Sequence, residues 1–175
     1  VTIWKDVPGV LNADPKFFSD TVLLDKISYR DAIELAWFGT SVIHPKTIQP
    51  LQNKGIPLYV KSFLKPDEPG TKIFDAEKRV SEISYIFKTE QILISIQPKD
   101  FSFIAEDNLS LIYNLFSKQN IKVNMSQNSA ISFSVCIDYY KHKFDSLLHE
   151  LQNQFKVLYN YPVELMTIRN YNPEI

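Results

Sequence analysis

"KISYRDAIELAWFGTSVIHPKTIQPLQNKGIPLYVKSF", residues 26–63, changes rhythm twice, and punctuation marks each change. Ser28 followed three residues later by Asp31 resembles a capping box. Ile33, Leu35, Ala36 and Trp37 supply an apolar side, and Gly39 can take the left-handed conformation that ends a helix. A second helix is predicted after the His44-Pro45 turn, with Pro45 near its first position and Gly55 at its end. Residues 56–63 then read as a nearly continuous apolar strand, the pattern of a sheet covered by helices on both faces. Outward from this core, Val1–Trp4 reads as a short strand leading into two turns, at Pro8-Gly9 and at Asn12–Pro15. On the other side, residues 64–73 loop back into a final short strand. Residues 1–74 are thus expected to be α/β.

Residues 75–84, "DAEKRVSEIS", are charged and poor in large apolar groups, and are expected to form a domain junction. From 85 to 162 the rhythm is different. "QILISIQ" alternates as a strand, and a helix is expected near Leu109–Gln119 with Leu109, Ile112 and Phe116 on one face. "IKVNMSQ" and "AISFSVCID" read as two strands joined at a tight Asn128-Ser129 turn, with Ile131, Phe133, Val135 and Ile137 pointing inward. Phe144, Leu147, Leu148 and Leu151 mark an amphipathic helix over about 141–154, and "KVLYNY" is a closing strand. The order β-α-β-β-α-β is the ferredoxin-like α+β plan, two helices on one face of a four-stranded sheet. Residues 163–175 alternate again, as the start of a further unit or as a closing strand.

Composition bounds the function. The 175 residues are 45% hydrophobic and 22% charged, ordinary for a folded chain, and a net charge of −1 with scattered cations offers no track for a phosphate backbone. Nucleic acid is not an expected partner, and no stretch is long and apolar enough to span a membrane. The lone Cys136 lies in an apolar run and reads as a buried thiol, which suits a reducing, cytoplasmic compartment. His44 before Pro45 reads as a capped or hydrogen-bonded imidazole. His142 and His149 lack a convergent third ligand, so no metal site is expected.

Three blocks, "WKDVPGVLNADP" (4–15), "ELAWFGTSVIHPKTIQP" (34–50) and "IPLYVKSFLKPDEPGTKI" (56–73), resemble in order and spacing the nucleotide-proximal part of aspartate kinase, the amino-acid kinase that phosphorylates the β-carboxylate of aspartate. The unit at 85–162 is similar in plan to the ACT regulatory domain that follows the kinase domain in that family. The resemblance implies ATP, with Mg²⁺ in the full-length enzyme, at Lys5, Asp6, Leu11, Asp14, Lys16, Ser41 and Val42. Lys5 stands where threonine is usual, Leu11 where tyrosine is, and Ser41 where lysine is common. It also implies that the lysine loop on the phosphates and the residues gripping aspartate lie upstream of Val1. No catalytic residue is therefore expected here, nor a tightly bound cofactor.

For the second unit the resemblance implies an end-product amino acid, lysine or threonine, held by Ser102, Asn108, Leu109, Val123, Asn124 and Ser129 where two ACT units pair as a homodimer. Asn124 stands where aspartate is common, and the loop "SFIAEDN" lacks the usual glycine. A pure dimerisation module without effector therefore stands beside the sensor reading. Glu106 and Asp107 suit the negative charge that a lysine side chain wants, but also the start of a helix.

Overall fold

The computed structural model describes residues 1–39, 42–76, 82–100, 102–171 and 173. The chain forms two compact units: Val1–Phe87 with Met166–Ile175, and Lys88–Leu165.

The first unit carries a four-stranded mixed sheet in the order β1 (Thr2–Lys5), β3 (Leu58–Ser62), β4 (Thr71–Phe74), β2 (Lys26–Ser28). β1 runs parallel to β3, β2 parallel to β4, and β3 antiparallel to β4. Helix α1 spans Tyr29–Phe38 and α2 spans Pro45–Asn53. The start of α1 is the capping arrangement that the sequence announces: Ser28 Oγ accepts from the Asp31 amide, and Gly39 closes the helix at φ 132°. His44 is the N-cap of α2, its Nδ1 accepting from the Lys46 amide at 3.2 Å, with Pro45 in the first turn. Ile27, Ile48, Leu58, Val60 and Ile73, all buried, join Leu35 of α1 in one apolar core.

The second unit is built from β5 (Ser84–Pro98), α3 (Glu106–Lys118), β6 (Val123–Asn128), β7 (Phe133–Asp138), α4 (Lys141–Gln154) and β8 (Phe155–Arg169), of which the first four residues of β5 and the last four of β8 count with the first unit. Its sheet order is β6-β7-β5-β8, with β7 antiparallel to both neighbours. Ile92, Ile94 and Ile96 alternate along β5 into a core shared with Ile112 and Phe116 of α3 and Phe144, Leu147 and Leu151 of α4. Glu106 and Asp107 occupy the first turn of α3 and Lys118 its last, each on the favourable side of the helix dipole.

The structure departs from the sequence reading in three places. Ile131 is 46% exposed instead of inward: it falls in the 129–132 connection, before β7 begins, where alternation has no sheet to refer to. That connection is longer than a tight turn, and it is closed by the Ser129 amide donating to the Ser132 carbonyl at 2.8 Å. β5 and β8 are both 15 residues long. β5 thus begins inside the charged stretch read as a junction, of which residues 77–81 lie outside the described residues. β8 runs straight through Pro162, so residues 163–169 continue the same strand.

Candidate functional site

The first unit contains a cleft of about 330 Å³. The loop after β1 forms its floor. Gly9 is required there, because a Cβ would meet Thr71 Oγ1 at 2.5 Å. The same hydroxyl accepts from the Val10 amide at 2.8 Å and pins the loop to β4. Asn12 anchors the next stretch four ways. Its amide donates to the Val22 carbonyl and its Oδ1 accepts from the Val22 amide, while its carbonyl accepts from the Tyr85 amide and its Nδ2 donates to the Ile83 carbonyl. Asp14 Oδ1 accepts from the Lys16 amide at 2.9 Å, an Asx turn that turns Lys16 along the rim. Beyond it Phe17 stacks on Phe87, and Phe18 meets Tyr85 at a tilt, each with ring centroids 5.2 Å apart.

Five of the seven residues assigned to nucleotide line this cleft: Asp6, Leu11, Asp14, Lys16 and Val42. Lys5 is not among its lining residues; it ends β1, where its carbonyl accepts from the Phe63 amide at 2.8 Å. Ser41 lies outside the described residues. Asn12, Leu35, Gly39 and Tyr85–Phe87 also line the cleft without having been singled out. Chemically the site offers carboxylates and an amide to hydroxyls and exocyclic amines, an apolar and aromatic wall to a flat ring, and the Lys16 ammonium to an anion.

In the second unit the Ile104 amide donates to the Ala130 carbonyl at 2.9 Å and joins the loop of Ser102, ahead of Asn108 in α3, to the turn of Ser129. The Ser102 amide donates to Asp100 Oδ1 at 3.1 Å, and hydrogen bonds from Ser102 hold the Asp100 carboxyl below its usual pKa. Asn108 Nδ2 reaches the Phe103 carbonyl, and Leu109 and Val123 pack against the core. Asn124 is committed elsewhere. Its Oδ1 accepts from Lys88 Nζ at 2.8 Å, and its Nδ2 donates to Gln91 Oε1 at 2.8 Å and to Asp138 Oδ1 at 3.0 Å. Gln91 Nε2 also donates to Asp138 Oδ1, and Cys136 Sγ lies 3.7 Å from Gln91 Oε1. Burial pushes the Lys88 pKa down, against the pull of Asp138, and pushes the Cys136 thiol up.

Residues 1–62 match the model of the amino acid kinase family. Over 167 residues, 87% of this chain, it is 29% identical to aspartokinase 3, chloroplastic, of Arabidopsis thaliana, and it spans 29% of that protein's length. E. coli aspartokinase III in complex with aspartate and ADP superposes with a TM-score of 0.81 at 25% identity, covering 95% of this chain and 39% of the E. coli chain. Over most of its length the chain is similar to a part of aspartokinases, and it spans less than two fifths of each of these relatives. The same E. coli enzyme in complex with lysine and aspartate gives 0.82 at 26% identity, over 95% of this chain and 38% of that one.

Sequence reading missed Asn12 and Tyr85–Phe87 on the cleft, and Lys88, Gln91 and Asp138 around Asn124. The last three left no local signal: Gln91 closes the polar stretch Lys88–Gln91 ahead of the apolar run, and only its burial to 1% exposure shows that it needs partners. Among the described residues there is no group of three or more His, Cys, Asp or Glu able to hold a metal ion, and no helix long and apolar enough to cross a membrane.

Proposed function

We propose that this chain is the part of an aspartokinase, the enzyme converting ATP and L-aspartate to 4-phospho-L-aspartate at the head of lysine, threonine and methionine biosynthesis, that builds the nucleotide side of the active site and carries a regulatory unit. The observation that carries the reading is the gathering of Asp6, Leu11, Asp14, Lys16 and Val42 around one cleft with an aromatic flank. The residues fit a nucleoside: Leu35, Val42 and Ile86 can sandwich a base, and Asp6 and Asn12 can take its polar edge and sugar hydroxyls. Lys16 can meet phosphate. Mg²⁺ would arrive on the nucleotide's phosphates, as that ion usually does. Phosphoryl transfer depends on placing and neutralising the transferred group, and in this cleft Lys16 is the cation able to meet it.

The second unit is read as an ACT domain, residues 85–162, after the kinase part, residues 1–74. Its strand order β8-β5-β7-β6, with α3 and α4 on one core, is that of the ferredoxin-like plan. It would bind an end-product amino acid, lysine first, between paired units of a homodimer, in a reducing compartment such as the cytoplasm. Regulation requires the ligand to bind two arrangements of the enzyme unequally. A second reading, dimerisation without effector, is favoured by the saturation of the Asn124 side chain with internal partners.

Calorimetric titration of the chain with MgATP, lysine and threonine, with its mass in solution, tests both. Saturable heat from MgATP supports the cleft assignment, and heat from lysine at a dimer's stoichiometry supports the sensor. A dimer silent to both amino acids leaves the assembly module, and silence to MgATP removes the nucleotide reading.

A further inference from the structure

Two walls of the cleft are held by one short segment at the end of the last strand. Leu35 of α1 and its closing residue Gly39 form one wall, and Tyr85–Phe87 form another. Arg169, the last residue of β8, donates from Nη2 to Asp31 Oδ1 at 3.0 Å and from Nη1 to the Asp31 carbonyl at 3.2 Å. The two side chains are 18% and 6% exposed. Asp31 Oδ2 meanwhile takes the Ser28 hydroxyl at 2.6 Å, so both carboxylate oxygens are engaged and the group has one orientation. Asp31 stands one helical turn before Leu35 on the same face of α1, so a grip on Asp31 fixes the rotation of the helix that presents Leu35 to the cleft. The next residue, Asn170, donates from Nδ2 to the Glu82 carbonyl at 3.2 Å, just ahead of the Tyr85–Phe87 wall.

We infer that Arg169 is a positioning residue for the nucleotide cleft, acting through Asp31 on α1; the inference rests on the nucleotide reading of that cleft. A buried ion pair is a poor source of net stability, because desolvating both charges offsets their attraction, but a two-pronged guanidinium contact is a strict source of orientation. The geometric role is therefore the one to test. Nothing in the local sequence suggested it, since 138 residues separate the partners.

Trp37 lies on α1 itself and reports on the helix once Trp4 is replaced, so the parent for the experiment is the full chain carrying Trp4→Phe. Trp4 is not a lining residue of the cleft; it sits under Lys61 on the sheet. MgATP is titrated against Trp37 emission in the parent, in Arg169→Gln and in Arg169→Lys. The expected result is a shifted Trp37 emission in ligand-free Arg169→Gln and a MgATP Kd raised about tenfold or more, with Arg169→Lys recovering part of both. A Kd within twofold of the parent overturns the inference, whatever happens to the unfolding midpoint, and so does an unshifted Trp37 spectrum. Should Arg169→Gln not fold, Asp31→Asn takes its place, with the same expected rise in Kd and the same overturning result. If the parent itself takes no MgATP, the nucleotide reading fails and the inference falls with it; if the parent binds and the variants bind equally well, only the inference fails.

Discussion

Thr71 offers a clean test of how the floor of the cleft is held. Its side chain is fully buried, and its hydroxyl oxygen accepts from the Val10 amide at 2.8 Å, at the point where the loop passes from Gly9 to Leu11. Thr71→Val replaces that oxygen by a methyl of nearly the same size, so packing is kept while a buried N–H loses its acceptor. Such a loss costs about 1–3 kcal/mol. Thr71→Ser does the reverse: the acceptor stays and one methyl goes, for about 0.8 kcal/mol of apolar burial. Urea unfolding followed by circular dichroism should therefore rank the variants wild type, Ser, Val in falling stability. MgATP affinity should fall only in the valine variant, whose loop is no longer pinned beside two lining residues. A serine variant less stable than the valine one would refute the reasoning, because the methyl and not the hydrogen bond would then be holding β4 to the loop.

Other outcomes follow from single contacts. Ser28→Ala removes the N-cap of α1 and should cost about 0.5–2 kcal/mol in urea unfolding, with Ser28→Asn close to wild type. Cys136 is buried and its thiol is pushed up by burial, so a disulfide reagent at pH 8 should react slowly with the native chain and stoichiometrically in guanidinium; an immediate native-state burst would contradict the packing. Glu150 is held below its usual pKa of 4.5 chiefly by the hydrogen bond from Lys118, so its contribution is present above that value and lost as pH falls through the lower folded value. Glu150→Gln should flatten the stability-against-pH curve in that acid window, and added salt should shrink the difference between the two proteins.

What the sequence makes legible is what neighbours within a turn decide. The Ser28 cap, the Gly39 stop, the Pro45 start and the span of α4 all follow from residues no more than four positions away, and all appear in the structure. Strand length is different, because cross-strand pairing sets it: β5 extends into a charged segment and β8 across a proline, neither of which local composition favours. The site divides the same way. Asp6, Leu11, Asp14 and Lys16 belong to one loop and could be read as a set. Tyr85 meets Asn12 across 73 residues of chain, and Gln91 meets Asp138 across 47, separations that no local pattern announces.

The network around Asn124 sets the terms on which the second unit can recognise an amino acid. Lys88 and Asp138 bring one cation and one anion, and Asn124 and Gln91 bridge them with amides, so both amides, the Lys88 ammonium and Asp138 Oδ1 already have partners. A ligand that reads Asn124 has to displace one of these contacts, and each group left unpaired in a buried setting costs about 1–3 kcal/mol. Exchange is economical only contact for contact: a ligand carboxylate taking Lys88, and a ligand ammonium taking Asp138. A zwitterion of the size of an amino acid meets that condition, whereas a simple anion or a simple amine meets half of it. Asn124→Ala therefore separates the two readings of this unit. If the unit senses an amino acid here, the substitution should change lysine affinity by tenfold or more while the chain's mass in solution stays the same. If the unit only pairs subunits, lysine should give no heat before or after the substitution, and the loss should be confined to urea stability.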